Sequence, residues 1–253
     1  MARVLAVANQ KGGVAKTTTT HSLGAGLAEL GERVLMVDLD PQACLTYSLG
    51  IDPDTLDSSL HDVLAGRAEA ADVVVKSGDV TALPATIDLA GAEVHLMTRT
   101  GREHALARAL KPLLGEYDTI LIDCPPSLGV LTINGLTAAG EVIVPLQCET
   151  LGHRGVGQLL ETIGDVRSFT NADLAVRGLV ATMFDSRTRH SRELLEDLEG
   201  RYGVPVLGDP IPKSVRFAEA PGRGRSILTH APRSAGAEAY RAIARLLHGE
   251  ATK

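Results

Sequence analysis

The octapeptide Lys11-Gly12-Gly13-Val14-Ala15-Lys16-Thr17-Thr18 joins an apolar run at residues 3–8 to a stretch of helical periodicity at 16–30. Glycines at such a joint let consecutive backbone N–H groups curl around phosphate oxygens, and the helix start adds partial positive charge. A lysine at the helix start reaches the β- and γ-phosphates of a nucleoside triphosphate, and the next Thr hydroxyl ligates Mg²⁺. Lys16 and Thr17 hold those positions, with Gly12, Gly13, Val14, Ala15 and Thr18 around them. The bland alternative is a Gly-rich turn with coincidental Lys and Thr; placement between strand and helix argues against it.

Three carboxylates stand at the ends of other apolar runs. Val37-Asp38-Leu39-Asp40-Pro41-Gln42 closes a run at 33–37, and Asp123 closes Thr119-Ile120-Leu121-Ile122. If the first strand continues, Asp38 and Asp40 share a side; Pro41 instead breaks it and swings Asp40 toward the phosphates. Asp40 is the candidate to orient and deprotonate the attacking water. Asp38 and Asp123 are the candidates to support Mg²⁺, since a carboxylate at a buried strand tip reaches the ion through a water. Any one of these aspartates could be a strand-end cap; the three together supply the positioning and charge neutralisation that phosphoryl transfer needs.

Short apolar runs alternating with helical patterns predict an α/β fold, a doubly wound and mostly parallel sheet flanked by helices. Strands are expected at 3–8, 33–37, 80–83, 119–122, 141–145, 177–183 and 204–207. Helices are expected at 16–30, 60–64, 102–114, 155–167, 191–202 and 234–247. With no internal repeat or linker-like tract, residues 1–253 read as one ATPase domain. Ligands in such folds sit beyond the carboxyl ends of the strands, where the polar residues cluster.

Composition sets the surroundings. Hydrophobic residues make up 44% and charged residues 22%, so a sizeable core is expected. Aromatics are 3% with no Trp, which disfavours nucleic-acid binding by stacked rings. Cys44, Cys124 and Cys148 lie far apart with no CxxC pair, which fits a reducing cytosol rather than a disulfide framework or zinc site. No run approaches the ~18 apolar residues that span a bilayer, so a cytoplasmic location is expected. The net charge is −6, yet the acidic excess lies in residues 1–186 and residues 187–253 are net basic. Such asymmetry hints at a local nucleic-acid-facing surface, with ordinary surface scatter as the alternative.

Lys11 stands where an ordinary P-loop has no lysine, and the segment resembles the deviant Walker A motif, KGGxGK[ST], of the ParA/MinD group. Resemblance implies that Lys11 reaches phosphates bound by a second subunit, that Gly12 lies where two loops meet, and that Asp40 acts on the water. Ala15 departs from the family's Gly, so either the backbone there is not left-handed or the loop is slightly altered. Cys124-Pro125-Pro126-Ser127-Leu128-Gly129 is similar to the family's second switch segment. Segments 145–149, 183–188 and 211–221 look like the chromosomal, Soj-type ParA pattern. By that likeness Pro212 and Ser214 line the adenine, and Arg187 binds DNA without sequence preference. Lys213, Arg216 and Arg223, with Arg225 and Arg233, extend a basic patch that either neutralises DNA phosphates or pairs with neighbouring acids.

The function implied is ATP-dependent DNA partitioning on the nucleoid. Mg-ATP assembles a homodimer, the dimer binds DNA non-specifically, and hydrolysis stimulated by a ParB-type partner releases it. With the loop starting at residue 11, operator binding through an N-terminal helix-turn-helix is not expected. The alternative is a MinD-like positioning ATPase, which requires an amphipathic C-terminal helix with a basic face. Tyr240, Ile243, Leu246 and Leu247 instead read as a helix packed on the sheet. An iron–sulfur reductase lacks suitably placed cysteines, and a metabolic kinase or synthetase lacks a second-substrate motif.

Overall fold

The computed structural model describes residues 1–148 and 152–251. Glu149 of the 145–149 segment and the tail residues Thr252 and Lys253 lie outside them, as do Thr150 and Leu151.

The chain opens with β1 (Arg3–Val7), α1 (Lys16–Glu29), β2 (Val34–Asp38), α2 (Cys44–Ser48), α3 (Leu60–Ala65) and α4 (Ala70–Val73). Next come β3 (Val75–Ser77), β4 (Val80–Leu83), α5 (Leu89–Met97), α6 (Ala105–Leu110), β5 (Thr119–Asp123) and α7 (Val130–Ala138). The last part holds β6 (Glu141–Gln147), α8 (Gly152–Phe169), β7 (Ala175–Thr182), α9 (Arg189–Tyr202), α10 (Arg216–Glu219), α11 (Ile227–His230) and α12 (Ala235–Ala251). The strands form one sheet in the order β3-β4-β2-β5-β1-β6-β7, parallel except for the β3–β4 edge pair. That is the doubly wound sheet expected from the sequence.

Alternation along the strands feeds a core on each face. Ala6, Leu35, Val37, Ile120 and Ile122 face one layer, covered by α3, α5, α6, α7 and α8. Leu5, Val7, Val34, Met36 and Leu121 face the other, under α1, α11 and α12. Close approach of α12 to α1 depends on Gly26, where a Cβ would come within 2.8 Å of the Ala244 Cβ. Tyr240, Ile243 and Leu247 of α12 are buried there, whereas Leu246 turns outward at 46% exposure. The apolar face of α12 is therefore spent on the core.

Two expected elements come out differently. The helix expected at 102–114 is only α6, flanked by 3-10 turns at Arg102–His104 and Lys111–Gly115. Pro112 lacks an N–H and clashes with a continuing helix. The strand expected at 204–207 is a single bridge, Leu179↔Val206, with another at Phe184↔Pro212. Pro205, Pro210 and Pro212 remove the donors that a ladder would need. Helices α5 and α7, which carry Gly91 and Gly135, were not among the expected elements. In α7 the glycine is a packing requirement, since a Cβ at 135 would sit 2.8 Å from the Cys124 Sγ.

His21, on α1, is buried with Nδ1 3.1 Å from the Ser48 Oγ, and burial pushes its pKa down to about 4. The unfolded chain takes up that proton first, so this stability is complete above ~pH 6.5 and is lost as pH falls toward 4. Urea unfolding across that window should show His21→Asn losing less stability than wild type, by roughly 2–3 kcal/mol. Equal losses would place the acid sensitivity elsewhere.

Candidate functional site

The loop between β1 and α1 is held open by its own backbone and by side chains from neighbouring strand ends. Gly13 (φ 73°) and Ala15 (φ 68°, ψ 34°) are both left-handed. Of the two expectations for position 15, a backbone outside the left-handed region is thus incorrect: the alanine itself takes the left-handed conformation. The turn is required so that the Ala15 carbonyl can accept from the Thr19 N–H at 2.9 Å and start α1. Asn9, 2% exposed, accepts from the Lys11 N–H at 3.0 Å and donates to the Pro145 carbonyl at 2.7 Å. The buried Thr182 hydroxyl lies 3.1 Å from the Val14 carbonyl and 3.0 Å from that of Leu146. The ends of β6 and β7 therefore brace both limbs of the loop.

Both lysines make contacts within the chain. Lys16 is buried, and its Nζ donates to the Lys11 carbonyl at 3.2 Å. Burial pushes its pKa down, and the neighbouring carboxyl groups of Asp123 and Asp40 push it back up. The Lys11 Nζ lies 3.3 Å from the Gln147 Oε1.

Asp123 comes directly onto the loop. Its Oδ2 accepts from the Thr17 hydroxyl at 2.7 Å and its Oδ1 from the Thr20 hydroxyl at 3.1 Å. Burial, reinforced by the neighbouring Asp38, pushes its pKa up to about 8. Asp38 pairs in register with Asp123 on the adjacent strand, but its carboxylate turns to α2. Its Oδ2 accepts from the Thr46 N–H at 2.8 Å and hydroxyl at 2.7 Å, and its Oδ1 accepts from the Asp40 N–H at 3.2 Å. Burial still outweighs those bonds and lifts its pKa to about 6. Asp40 lies past the end of β2, half-buried, with its Oδ1 accepting from the Gln42 N–H at 3.0 Å. A buried carboxyl beside a Thr hydroxyl, whose charged form burial opposes, is a donor set suited to a divalent cation. Among the described residues no three His, Cys, Asp or Glu side chains gather into a cage. Few protein ligands is the pattern of Mg²⁺, which keeps waters and phosphate oxygens.

Beyond the loop a cavity of about 370 Å³ is lined by Gly13, Thr18, Met183, Pro212, Ser214 and Phe217. Pro212 and Ser214 were expected there. Met183, at φ 52°, and Phe217, which meets Tyr240 edge-on at 6.1 Å, were not. Nor were Asn9, Gln147, Thr20 and Thr182, whose roles depend on contacts between distant segments.

The basic residues divide. Arg187 grips Asp185 with two bonds, 2.9 and 2.7 Å, on an exposed turn. For that residue, pairing with a neighbouring acid is what the chain adopts. Lys213, Arg216 and Arg223 are exposed and form no ion pair among the described residues. Glu219, amid them, bonds instead to His230 at 3.2 Å.

A left-handed alanine costs roughly 1 kcal/mol. Ala15→Gly should raise the thermal midpoint of the nucleotide-free protein, and Ala15→Val should lower it, at a cost of ~2 kcal/mol or more in stability, since a β-branched residue resists that turn. Calorimetry checks both.

A family model described as an AAA domain matches residues 2–176. The sporulation initiation inhibitor protein Soj of Bacillus subtilis is 44% identical over 249 residues, 97% of this chain and 98% of that protein. The chromosome partitioning protein ParA of Caulobacter vibrioides is 44% identical over 247 residues, 96% of this chain and 92% of that protein. A Mycobacterium smegmatis crystal structure, described as cobyrinic acid a,c-diamide synthase with bound ADP and magnesium, is similar with a TM-score of 0.88 and 57% identity. It covers 100% of this chain and 97% of that one. A matched domain model, two partitioning relatives of nearly full length and a loop braced for phosphate lead to one assignment: the chain belongs to the ParA/Soj family of P-loop ATPases.

Proposed function

We propose that residues 1–253 act as one DNA-partitioning ATPase unit whose Mg-ATP-bound homodimer binds DNA and is dissolved by hydrolysis. The observation that carries this reading is the second lysine. Lys16 already lies inside the loop, so the Lys11 ammonium at its mouth is surplus to the phosphates of its own site. Gly12 supports the same reading. Among the described residues a Cβ there would meet only the Pro126 Cβ, at 3.9 Å, so none of them excludes a side chain. A second loop packed against it would.

On nucleotide binding the Lys16 Nζ leaves the Lys11 carbonyl for the β- and γ-phosphates, while the loop N–H groups take the remaining oxygens. Thr17 and Asp123 are the groups that would hold Mg²⁺, with Asp38 braced behind them, and the ion would neutralise phosphate charge. Asp40 accepts the proton of the attacking water. Lys11 of each subunit stabilises charge on the other's γ-phosphate. The cavity beside Pro212 and Ser214 takes the base.

Pairing two subunits doubles the basic surface of Lys213, Arg216, Arg223 and Arg187, so dimerisation converts weak phosphate contacts into useful affinity for DNA. The Soj and ParA relatives favour a chromosome- or plasmid-partitioning role, with a ParB-type protein stimulating turnover in the cytoplasm at the nucleoid. The MinD-like alternative is disfavoured, because α12 commits its apolar residues to the core. No helix among the described residues is long and apolar enough to cross a membrane.

DNA co-sedimentation with ATP, ADP and no nucleotide, at two salt concentrations, tests the reading. Binding should need ATP and fall steeply with salt. Arg187→Glu should cut the salt slope by ~1 per subunit while leaving ATP-dependent dimerisation intact. Asp185→Asn should tighten DNA binding by releasing the guanidinium. Nucleotide-independent binding would remove the switch from the scheme, and unchanged affinity in both variants would misplace the DNA face.

A further inference from the structure

We propose that Gln147 retains the Lys11 ammonium within its own subunit and so sets how readily that lysine is offered to a second copy of the chain. The inference rests on the dimer reading above. Lys11 has little backbone freedom. Its N–H is fixed to the Asn9 Oδ1 at 3.0 Å, and Asn9 is anchored through the Pro145 carbonyl at 2.7 Å. Helix α8 presses on the same spot: a Cβ at Gly155 would fall 2.9 Å from the Asn9 Oδ1 and 3.4 Å from the Lys11 Cβ. Lys16 caps the Lys11 carbonyl at 3.2 Å.

With the backbone pinned on these sides, what can move is the Lys11 side chain, and it ends 3.3 Å from the Gln147 Oε1. Gln147 closes β6, the strand that carries Pro145, so acceptor and anchor belong to one rigid element. The chemistry of the acceptor sets the strength of the hold. A neutral amide gives an ammonium a single charge-to-dipole bond in a half-exposed setting. That is enough to bias the side chain and weak enough for phosphates to displace it. A carboxylate in its place would make an ion pair and retain the lysine. An apolar residue would release it. Gln147 is thus a positioning residue that acts through Lys11.

Two measurements test this on Gln147→Ala and Gln147→Glu. In sedimentation velocity with Mg²⁺ and a non-hydrolysable ATP analogue, Gln147→Ala should lower the dimer dissociation constant roughly tenfold, about threefold for each lysine released. Gln147→Glu should raise it by a similar factor, with ADP affinity of each variant measured to normalise for any change in the pocket. In nucleotide-free protein, acetylation of Lys11 by acetic anhydride, read by mass spectrometry against the exposed Lys76, should speed about threefold in Gln147→Ala. The same reaction should slow in Gln147→Glu. A merely structural Gln147 would weaken dimerisation in both variants alike, and that result, or an unchanged acetylation rate, overturns the proposal. A wild-type chain that stays monomeric with the analogue overturns the dimer reading instead, while the acetylation rates still decide whether Gln147 holds Lys11.

Discussion

Burying the carboxylate of Asp123 between the tips of β1 and β2 costs free energy that a proton or a cation must offset. The rest of the site is arranged around that cost. Asp123 accepts from Thr17 and Thr20, so the first turn of α1, and with it the whole loop, is registered on the central strand of the sheet. Asp38, its neighbour in register, cannot share the same donors without bringing two charges together. It turns to Thr46 and braces α2, which fixes the Asp40 turn that follows. Hydroxyls that hold a buried carboxylate in this way are also groups that can hand it to Mg²⁺ without moving the strand.

A second consequence is that the loop keeps a conformation its sequence does not favour. Ala15 stays left-handed because Thr182 and Asn9 hold the two limbs apart and α1 must begin at Lys16. Strain of this kind persists where surrounding contacts over-determine the backbone, and such places cluster at functional sites. The left-handed Met183, beside the proposed base cavity, is a second instance on the same rim.

Much of this was legible in the sequence because its signals are local. The Lys11–Thr18 run between strand and helix, Asp123 after four apolar residues, and Asp38 before a strand-breaking Pro41 each announce a strand end. Asn9, Gln147 and Thr182 gave no such signal. Each is an ordinary polar residue whose importance comes from a partner more than thirty positions away. Helix α7 was hidden because packing against Cys124, not propensity, decides its Gly135. Segment 204–207 misled in the opposite direction, since its apolar pattern is right but Pro205 cannot donate. The charge asymmetry was real, yet sequence could not say that Arg187 would be held by Asp185 while Lys213, Arg216 and Arg223 stand unpaired among the described residues.

The account turns on whether the ammonium at position 11 serves a nucleotide other than its own. Sedimentation velocity of Lys11→Ala, run with Mg²⁺ and a non-hydrolysable ATP analogue at a concentration where the wild type is dimeric, asks that question directly. A monomer that still binds the analogue is the predicted result. A dimer of wild-type strength would contradict the account and leave a nucleotide-binding fold whose loop works alone.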